Sequence, residues 1–354
     1  MISYDVTEWG KSLQQAVREI PEPQGTEVLV RVKYCGVCHS DVHIRDGYYD
    51  LGEGKRFNIE DRGVRLPLTM GHEPYGHVVA AGPDAHGVPI GEDRLVYPWI
   101  GCGNCAQCDA GQDNHCTKPR FLGVMRPGGY AEHLLVAHPK YLVDVSGIEP
   151  SFAPVLACSG LTTYSAVNKL MPCQPKDWIV VMGAGGLGLM AVAVLRALGH
   201  ERIAVCEIDE SKWEAANAMG AQLVVQPQDT EALATLQGLD GGVYGVLDFV
   251  GAAPTAELGI AALRKGGHYV VVGLFGGQIP LSLVPVAQRA ITIQGSYVGN
   301  LAELEAVVAL AKSGKLKALP TQTCGLSEVS GVLDQLKAGT VLGRVVAQID
   351  PAGA

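Results

Sequence analysis

The sequence carries no block of like charge anywhere in its 354 residues, and only 18% of them are charged. With a formal net charge of −9 it lacks the basic patch that a phosphate backbone requires, which excludes nucleic-acid binding. Internal repeats and low-complexity linkers are missing as well, and 47% hydrophobic residues are too many for a disordered chain. The opening residues, MISYDVTEWGKSLQQAV, have neither the basic start nor the apolar run of a secretory signal. Trp178 to Leu195 is free of charge and reaches the lower edge of a membrane-spanning length. The glycines of MGAGGLGLM sit poorly in one helix, however, and a buried strand, a glycine turn and a buried helix suit it better. No membrane partner is expected. A cytoplasmic protein follows, whose thiols stay reduced, and disulfides are not expected among its ten cysteines.

Four of those cysteines crowd into one short stretch, GCGNCAQCDAGQDNHC, as Cys102, Cys105, Cys108 and Cys116. The spacing is C-x2-C-x2-C-x7-C. Four thiolates on a glycine-bearing loop can close a tetrahedron around Zn2+ and leave no position for a substrate. An iron–sulfur run would end with a gap of three and a proline, whereas here the gap is seven and Thr117 follows. Unligated thiols on so polar a loop would oxidise. A structural zinc is the reading that remains, holding a loop with almost no apolar residues.

A second set of ligand types is scattered. YCGVCHSDVH supplies Cys35, Cys38, His39, Ser40, Asp41 and His43, while MGHEPYGH supplies His72 and Glu73. Cys158 follows much later, in APVLACSGLTTY. Alone, Cys35 and Cys38 could form a redox pair, and His72 or Cys158 could be a core residue. Together Cys38, His72 and Cys158 offer two thiolates and an imidazole, the set that holds a catalytic zinc with one position open. Spacing alone does not bring them together.

These motifs resemble the zinc-dependent medium-chain alcohol dehydrogenases, in particular the microbial, usually tetrameric branch. The likeness extends from GVCHSDVH to GRVV near the C-terminus. It implies that Cys38, His72 and Cys158 hold a catalytic zinc with Glu73 behind the metal, and that Cys35 is a packed thiol. It implies a structural zinc on Cys102, Cys105, Cys108 and Cys116, hence two zinc ions per chain. The implied fold is α/β: a doubly wound parallel Rossmann sheet domain beside an irregular β-rich, GroES-like catalytic domain. The expected division is a catalytic domain over 1–159, with the zinc lobe at about 98–117, an NAD-binding domain over 160–297, and a C-terminal return over 298–354.

WIVVMGAGGLGLMAVAVLRALG supports the coenzyme half independently. An apolar strand precedes Gly183, Gly185, Gly186, Leu187 and Gly188, and an apolar helix follows, the context that makes G-x-G-x-x-G informative. Gly183, Gly185 and Gly188 suit the tight turn, the close pyrophosphate approach and the helix–strand contact, with the helix start facing the phosphates. The next strand, RIAVCEID, ends at Glu207, whose carboxylate suits a ribose diol and repels a 2′-phosphate, favouring NAD over NADP. Asp209 is the competing acid, and the family match falls on Glu207. Segments such as GVYGVLDFVG, AELGIAALRKG and HYVVVG continue the alternation of strand and helix. EVLVRVKYCG and GHVVAAG, before residue 150, read as short strands broken by glycine and proline.

The resemblance also assigns a reaction and roles. Primary or secondary alcohols are interconverted with aldehydes or ketones by hydride transfer with NAD. Ser40 takes the alcohol proton, and His43 releases it to solvent by way of a coenzyme ribose hydroxyl. Asp41 holds the second nitrogen of His72. His39 sits by the pyrophosphate, Lys212 on the ribose side, Thr162 and Val272 by the nicotinamide, and Arg344 reaches the coenzyme from the C-terminal segment. Trp99 is expected to line the substrate pocket, with an exposed interface tryptophan as the alternative. Ser40 could instead be a helix N-cap. The 46–67 loop departs from shorter members and lies where the substrate cleft should open, so pocket size does not carry over. A homotetramer is implied, with a homodimer as the alternative. The rival functions are a zinc-free reductase of the same fold, which lacks both cysteine sets, a polyol dehydrogenase of the sorbitol or threonine type, and a zinc-ribbon binding module.

Overall fold

The computed structural model describes residues 1–349, so the last part of the expected C-terminal return, 350–354, lies outside the described residues. Its second half is built on six parallel strands in the order Leu223–Val225, Ile203–Cys206, Trp178–Met182, Val243–Asp248, Leu263–Val271 and Thr292–Gly295. The central strands are apolar along their length because helices such as Gly186–Ala197 and Ala253–Ala262 cover the sheet. From Trp178–Met182 the chain winds outward to Leu223–Val225, then crosses back to Val243–Asp248 and continues the other way. The order reverses beside Trp178–Met182, at whose carboxyl end the glycine turn lies, the usual place for a ligand crevice. The uncharged stretch from Trp178 is thus a strand, a turn and a helix, and no described helix is long and apolar enough to cross a membrane.

The first half is β-rich and mostly antiparallel. Val28–Val37 pairs with Pro74–Ala81 and His133–Val136, and a three-stranded sheet of Gln14–Val17, Ile2–Val6 and Leu68–Thr69 lies apart. The chain returns late. Arg344–Gln348 runs antiparallel to Val28–Val37, with Val345 opposite Val37, so Arg344 arrives beside Cys38 from the far end of the sequence. The doubly wound sheet and the β-rich half anticipated from the sequence are both present.

Two local outcomes differ from the expectations. The helix after Val37 spans His39–Asp46 with Cys38, not Ser40, at its N-cap. Asp41 turns its carboxylate back to accept the Cys38 N–H at 3.0 Å, which satisfies the helix start without a serine hydroxyl. Residues 46–67 are also not simply a loop. Tyr48–Gly52 and Lys55–Asn58 pair as a hairpin, turned by Glu53 and Gly54 at φ 51° and 74°, the left-handed pair that a two-residue turn needs. The hairpin lies against the coenzyme half: a Cβ on Gly276 would come within 2.5 Å of the Asp50 carbonyl.

Candidate active site

Strand pairing assembles the scattered ligands. Cys38 leads its helix, His72 follows Leu68–Thr69, and Cys158 precedes the helix Ser159–Asn168. One ligand atom from each of Cys38, His72, Glu73 and Cys158 falls in a group spanning at most 4.8 Å, and all four residues are buried. The Cys38 and Cys158 sulfurs stand 3.9 Å apart. A tetrahedral zinc with bonds of about 2.3 Å separates its sulfurs by about 3.8 Å, so the spacing fits the metal. Nδ1 of His72 faces Asp41 Oδ1 at 3.1 Å, and Asp41 Oδ2 accepts from the Tyr130 hydroxyl at 2.8 Å. That leaves His72 Nε2 buried without a partner, an orphan that a metal would satisfy.

The electrostatics agree. Hydrogen bonding from Cys158 holds the Cys38 thiol well below the usual range against the opposing effect of burial. The Cys38 neighbour and burial together push Cys158 well above it. The two sulfurs thus share a proton that a dication would displace. Glu73 lies directly behind, pushed up to about 7 by burial although Arg344 opposes the shift. Arg344 Nη2 donates to both carboxylate oxygens of Glu73, to Oε2 at 2.5 Å. Gly36 makes room for this carboxylate, since a Cβ there would meet Glu73 Oε2 at 1.8 Å. Cys35 is fully buried, and burial raises its thiol well above the ordinary value.

Cys102, Cys105, Cys108 and Cys116 form the second group. Their sulfur separations of 3.5, 3.9 and 4.0 Å are nearly twice a disulfide bond and close to a tetrahedral edge. The Cys102 and Lys118 N–H groups donate to Cys116 Sγ at 3.2 and 3.3 Å, which suits a thiolate ligand. Arg120 bonds the carbonyls of Gly101 and Cys102. Asn114 Nδ2 donates to the Tyr297 carbonyl at 3.1 Å, linking the lobe to the cavity wall.

A cavity of about 300 Å3 joins the first ligand set to the glycine turn. At the metal end lie Ser40, whose Oγ is 3.7 Å from Cys38 Sγ, and His43. The two share the cavity wall one helical turn apart. The His43 ring sits 5.4 Å from that of His39 and 5.1 Å from that of Tyr49. Burial first, then the neighbouring His39, pulls His43 down to about 4, so its imidazole is neutral at pH 7. Trp99 is buried, donates to the Ala157 carbonyl at 3.0 Å and packs 5.3 Å from the His72 ring. The exposed alternative for Trp99 is overturned, because its indole fills the space beside the ligand set.

At the other end Gly183 has φ 89°, and a Cβ on Gly188 would lie 1.8 Å from the Gly183 carbonyl oxygen. A Cβ on Gly185 would meet nothing, so that face is open to a ligand. Glu207 accepts from Ala184 N at 2.6 Å and Asp209 N at 2.9 Å, directly under the turn. Asp209 instead caps Ser211 on the surface. Lys212 lines the cavity and donates to the Gly339 carbonyl at 3.0 Å. Thr162, whose buried Oγ1 has no partner, and Val272 also line it. Arg344 packs its stem against Gly186, which links Glu73 to the glycine turn. Sequence reasoning missed Tyr49, Arg62, Leu274 and Tyr297 on the cavity wall. The last two follow strands of the parallel sheet, where crevice residues are generally found.

A family model described as an alcohol dehydrogenase GroES-like domain matches residues 24–147, and one described as a zinc-binding dehydrogenase matches 186–313. An NAD-dependent alcohol dehydrogenase of Saccharolobus solfataricus is 36% identical, covering 96% of this chain and 98% of its own. The chain belongs to the zinc-dependent medium-chain alcohol dehydrogenases. An alcohol dehydrogenase of Geobacillus stearothermophilus is 32% identical over 98% of both chains. The solved alcohol dehydrogenase of the archaeon Aeropyrum pernix superposes with a TM-score of 0.88 at 29% identity, covering 98% of this chain and all of that one. Relatives named for alcohols do not favour the polyol alternative. A zinc-ribbon module does not extend over a chain matched almost end to end.

Proposed function

We propose that Cys38, His72 and Cys158 hold the catalytic zinc of an NAD-dependent alcohol dehydrogenase, and that Cys102, Cys105, Cys108 and Cys116 hold a second, structural one. The chain is an enzyme that interconverts primary or secondary alcohols with aldehydes or ketones by hydride transfer with NAD. One observation carries the assignment of residues: the orphaned His72 Nε2 beside two sulfurs 3.9 Å apart, at the end of a cavity that also reaches the glycine turn.

Zinc, when bound, supplies a Lewis acid for the substrate oxygen, and NAD supplies the hydride acceptor. The remaining work falls to side chains of this chain. Ser40 Oγ lies beside Cys38 and accepts the alcohol proton. His43, neutral because it is buried, receives that proton further out and releases it to solvent. Asp41 fixes the ring of His72 from behind, and Arg344 holds Glu73 in place. Trp99 excludes water beside the ligands. The N–H groups from Gly185 to Gly188 would hold the pyrophosphate, with His39 and Arg344 alongside. Glu207, which now accepts from Ala184 and Asp209, would hold the adenosine ribose diol, with Lys212 as a second ribose contact. Thr162 and Val272, in the cavity wall, would hold the nicotinamide.

The division into 1–159, 160–297 and 298 onward places the ligands in the first part and the parallel sheet in the second. A homotetramer, or a homodimer, is supported by the uncovered edge strand Thr292–Gly295 and the exposed Leu283, Val284 and Ile293 near it. A cytoplasmic location suits ten free thiols. Replacing Cys158 with alanine tests the assignment: one of the two zinc ions and all alcohol oxidation should be lost together, while folding persists.

A further inference from the structure

The metal end of the cavity is largely aromatic and apolar, with Trp99, Val124 and Tyr297 in its wall. Arg62 interrupts it. This residue closes the short 3-10 helix Ile59–Arg62 that follows the hairpin, and its side chain lines the cavity while remaining half-buried. Its backbone is fixed: Ile59 is buried and donates its N–H to the Gly47 carbonyl at 2.9 Å, and Gly63, at φ 86°, bonds back to Glu60. Its charge is not matched. No carboxylate among the described residues lies within ion-pair distance of the Arg62 guanidinium. Glu60, close by in sequence, is engaged by the Trp9 indole at 2.6 Å instead. The two buried arginines among the described residues are paired, Arg45 with Asp334 at 2.8 Å and Arg344 with Glu73, and half-buried Arg289 bonds backbone carbonyls. Leaving a half-buried guanidinium unpaired in an apolar cavity costs solvation unless a ligand repays it.

Tyr49 lines the same cavity as Arg62 and sits beside the relay. Its ring packs 5.1 Å from the His43 ring, and its hydroxyl makes no hydrogen bond among the described residues. Burial pushes Tyr49 up to about 12 while Arg62 pulls the other way, so it stays an O–H donor and lies near the guanidinium. Tyr297 and Cys38 also act on Tyr49, which places this corner on the substrate side of the cavity and not among the adenosine contacts Glu207 and Lys212.

We infer that Arg62 and Tyr49 form an anion-recognition subsite, and that the enzyme prefers alcohols and aldehydes carrying a carboxylate at the end remote from the reacting oxygen. This rests on the catalytic reading of Cys38, His72 and Cys158 given above. The guanidinium supplies a planar fork matched to a carboxylate, and the tyrosine hydroxyl a third donor. The 3-10 helix Ile59–Arg62, which follows the hairpin, puts that side chain in the cavity wall.

The test compares kcat/KM for a series of ω-hydroxycarboxylates with primary alcohols of equal chain length, using the zinc-replete enzyme and NAD. Wild-type enzyme should favour the acid at one chain length by about tenfold to a hundredfold, chiefly through KM, and rising salt should erode the preference. Arg62→Leu should collapse that ratio tenfold or more, Arg62→Lys should restore part of it, and Tyr49→Phe should lower it less. Equal efficiency for acid and neutral alcohol in wild type overturns the inference. So does an Arg62→Leu enzyme whose only defect is a raised KM for NAD, which would make Arg62 a coenzyme contact. Should neither substrate be oxidised, the catalytic reading fails, and calorimetric titration of the ω-hydroxycarboxylate decides the subsite separately. Binding that Arg62→Leu abolishes supports it, and no binding to wild type overturns it.

Discussion

Replacing Cys105 with serine removes one of the four proposed ligands from a site that would have no spare position. Between Gly101 and Cys116 the apolar residues other than cysteine are Ala106 and Ala110, and both are exposed. No hydrophobic burial is therefore available to offset the ordering of this lobe, which costs about 1–2 kcal/mol per residue in backbone entropy alone. The remaining supports are Asp113, accepting from Gly101 N at 3.1 Å and the Tyr141 hydroxyl at 2.9 Å, together with Asn114 and Arg120. At about 0.5–1.5 kcal/mol net each, a handful of such bonds is small beside the roughly 10–16 kcal/mol that a structural zinc contributes. The Cys105→Ser lobe should open locally, and zinc should fall from two ions to one per chain. Amide exchange across 102–116 should approach that of unstructured peptide, and a protease should cut there first. The chemical step per remaining zinc should change less than the stability does. A variant that kept two zinc ions and full protection, and was merely slow, would refute the argument and assign the chemistry to this lobe.

Three further variants test the geometry. His43→Gln should slow alcohol oxidation most at low pH, where solvent bases are scarce, and small buffer bases should partly restore it; an unaltered pH–rate profile removes the relay. Because the folded His43 sits near 4, below its unfolded value, the unfolded chain binds the extra proton, so its contribution to stability is lost as pH falls from about 6.5 toward 4. The variant's urea midpoint should therefore fall less than that of the wild type over this window, and parallel curves would contradict the burial argument. Glu207→Ala should raise the NADP to NAD ratio of kcat/KM by removing the charge that repels a 2′-phosphate, and an unchanged ratio would move the role elsewhere. Gly188→Ala places a methyl 1.8 Å from the Gly183 carbonyl, so it should raise KM for NAD at least tenfold or cost several kcal/mol in folding. Wild-type coenzyme affinity at wild-type stability would contradict the close approach.

How much of this was legible in the sequence depended on distance along the chain. The cysteine lobe and the glycine turn are local, since their chemistry lies in the spacing of residues close together. Cys38 and Cys158, 120 residues apart, could be joined only through resemblance, because a fold brings them together and no short-range pattern records it. Arg344 shows the same limit. It lines the cavity beside the glycine turn, and its guanidinium also holds Glu73, 271 residues away, a contact that no local pattern records because Arg344–Gln348 pairs with Val28–Val37. Ser40 looked like a cap by residue type, but Asp41 had already turned back onto Cys38. Glu53 and Gly54 did not announce a hairpin, because a left-handed glutamate is uncommon and only the pairing of Asp50 with Arg56 requires it.

The central claim is that Cys38, His72 and Cys158 serve alcohol oxidation through zinc and NAD. The most direct measurement is NADH formation by absorbance with a panel of neutral and carboxylate-bearing alcohols, before chelator treatment, after it, and after zinc is returned. Activity should depend on NAD, vanish as the Cys38 site empties and return with zinc. An enzyme that oxidised alcohols equally well with that site stripped of metal would contradict the account.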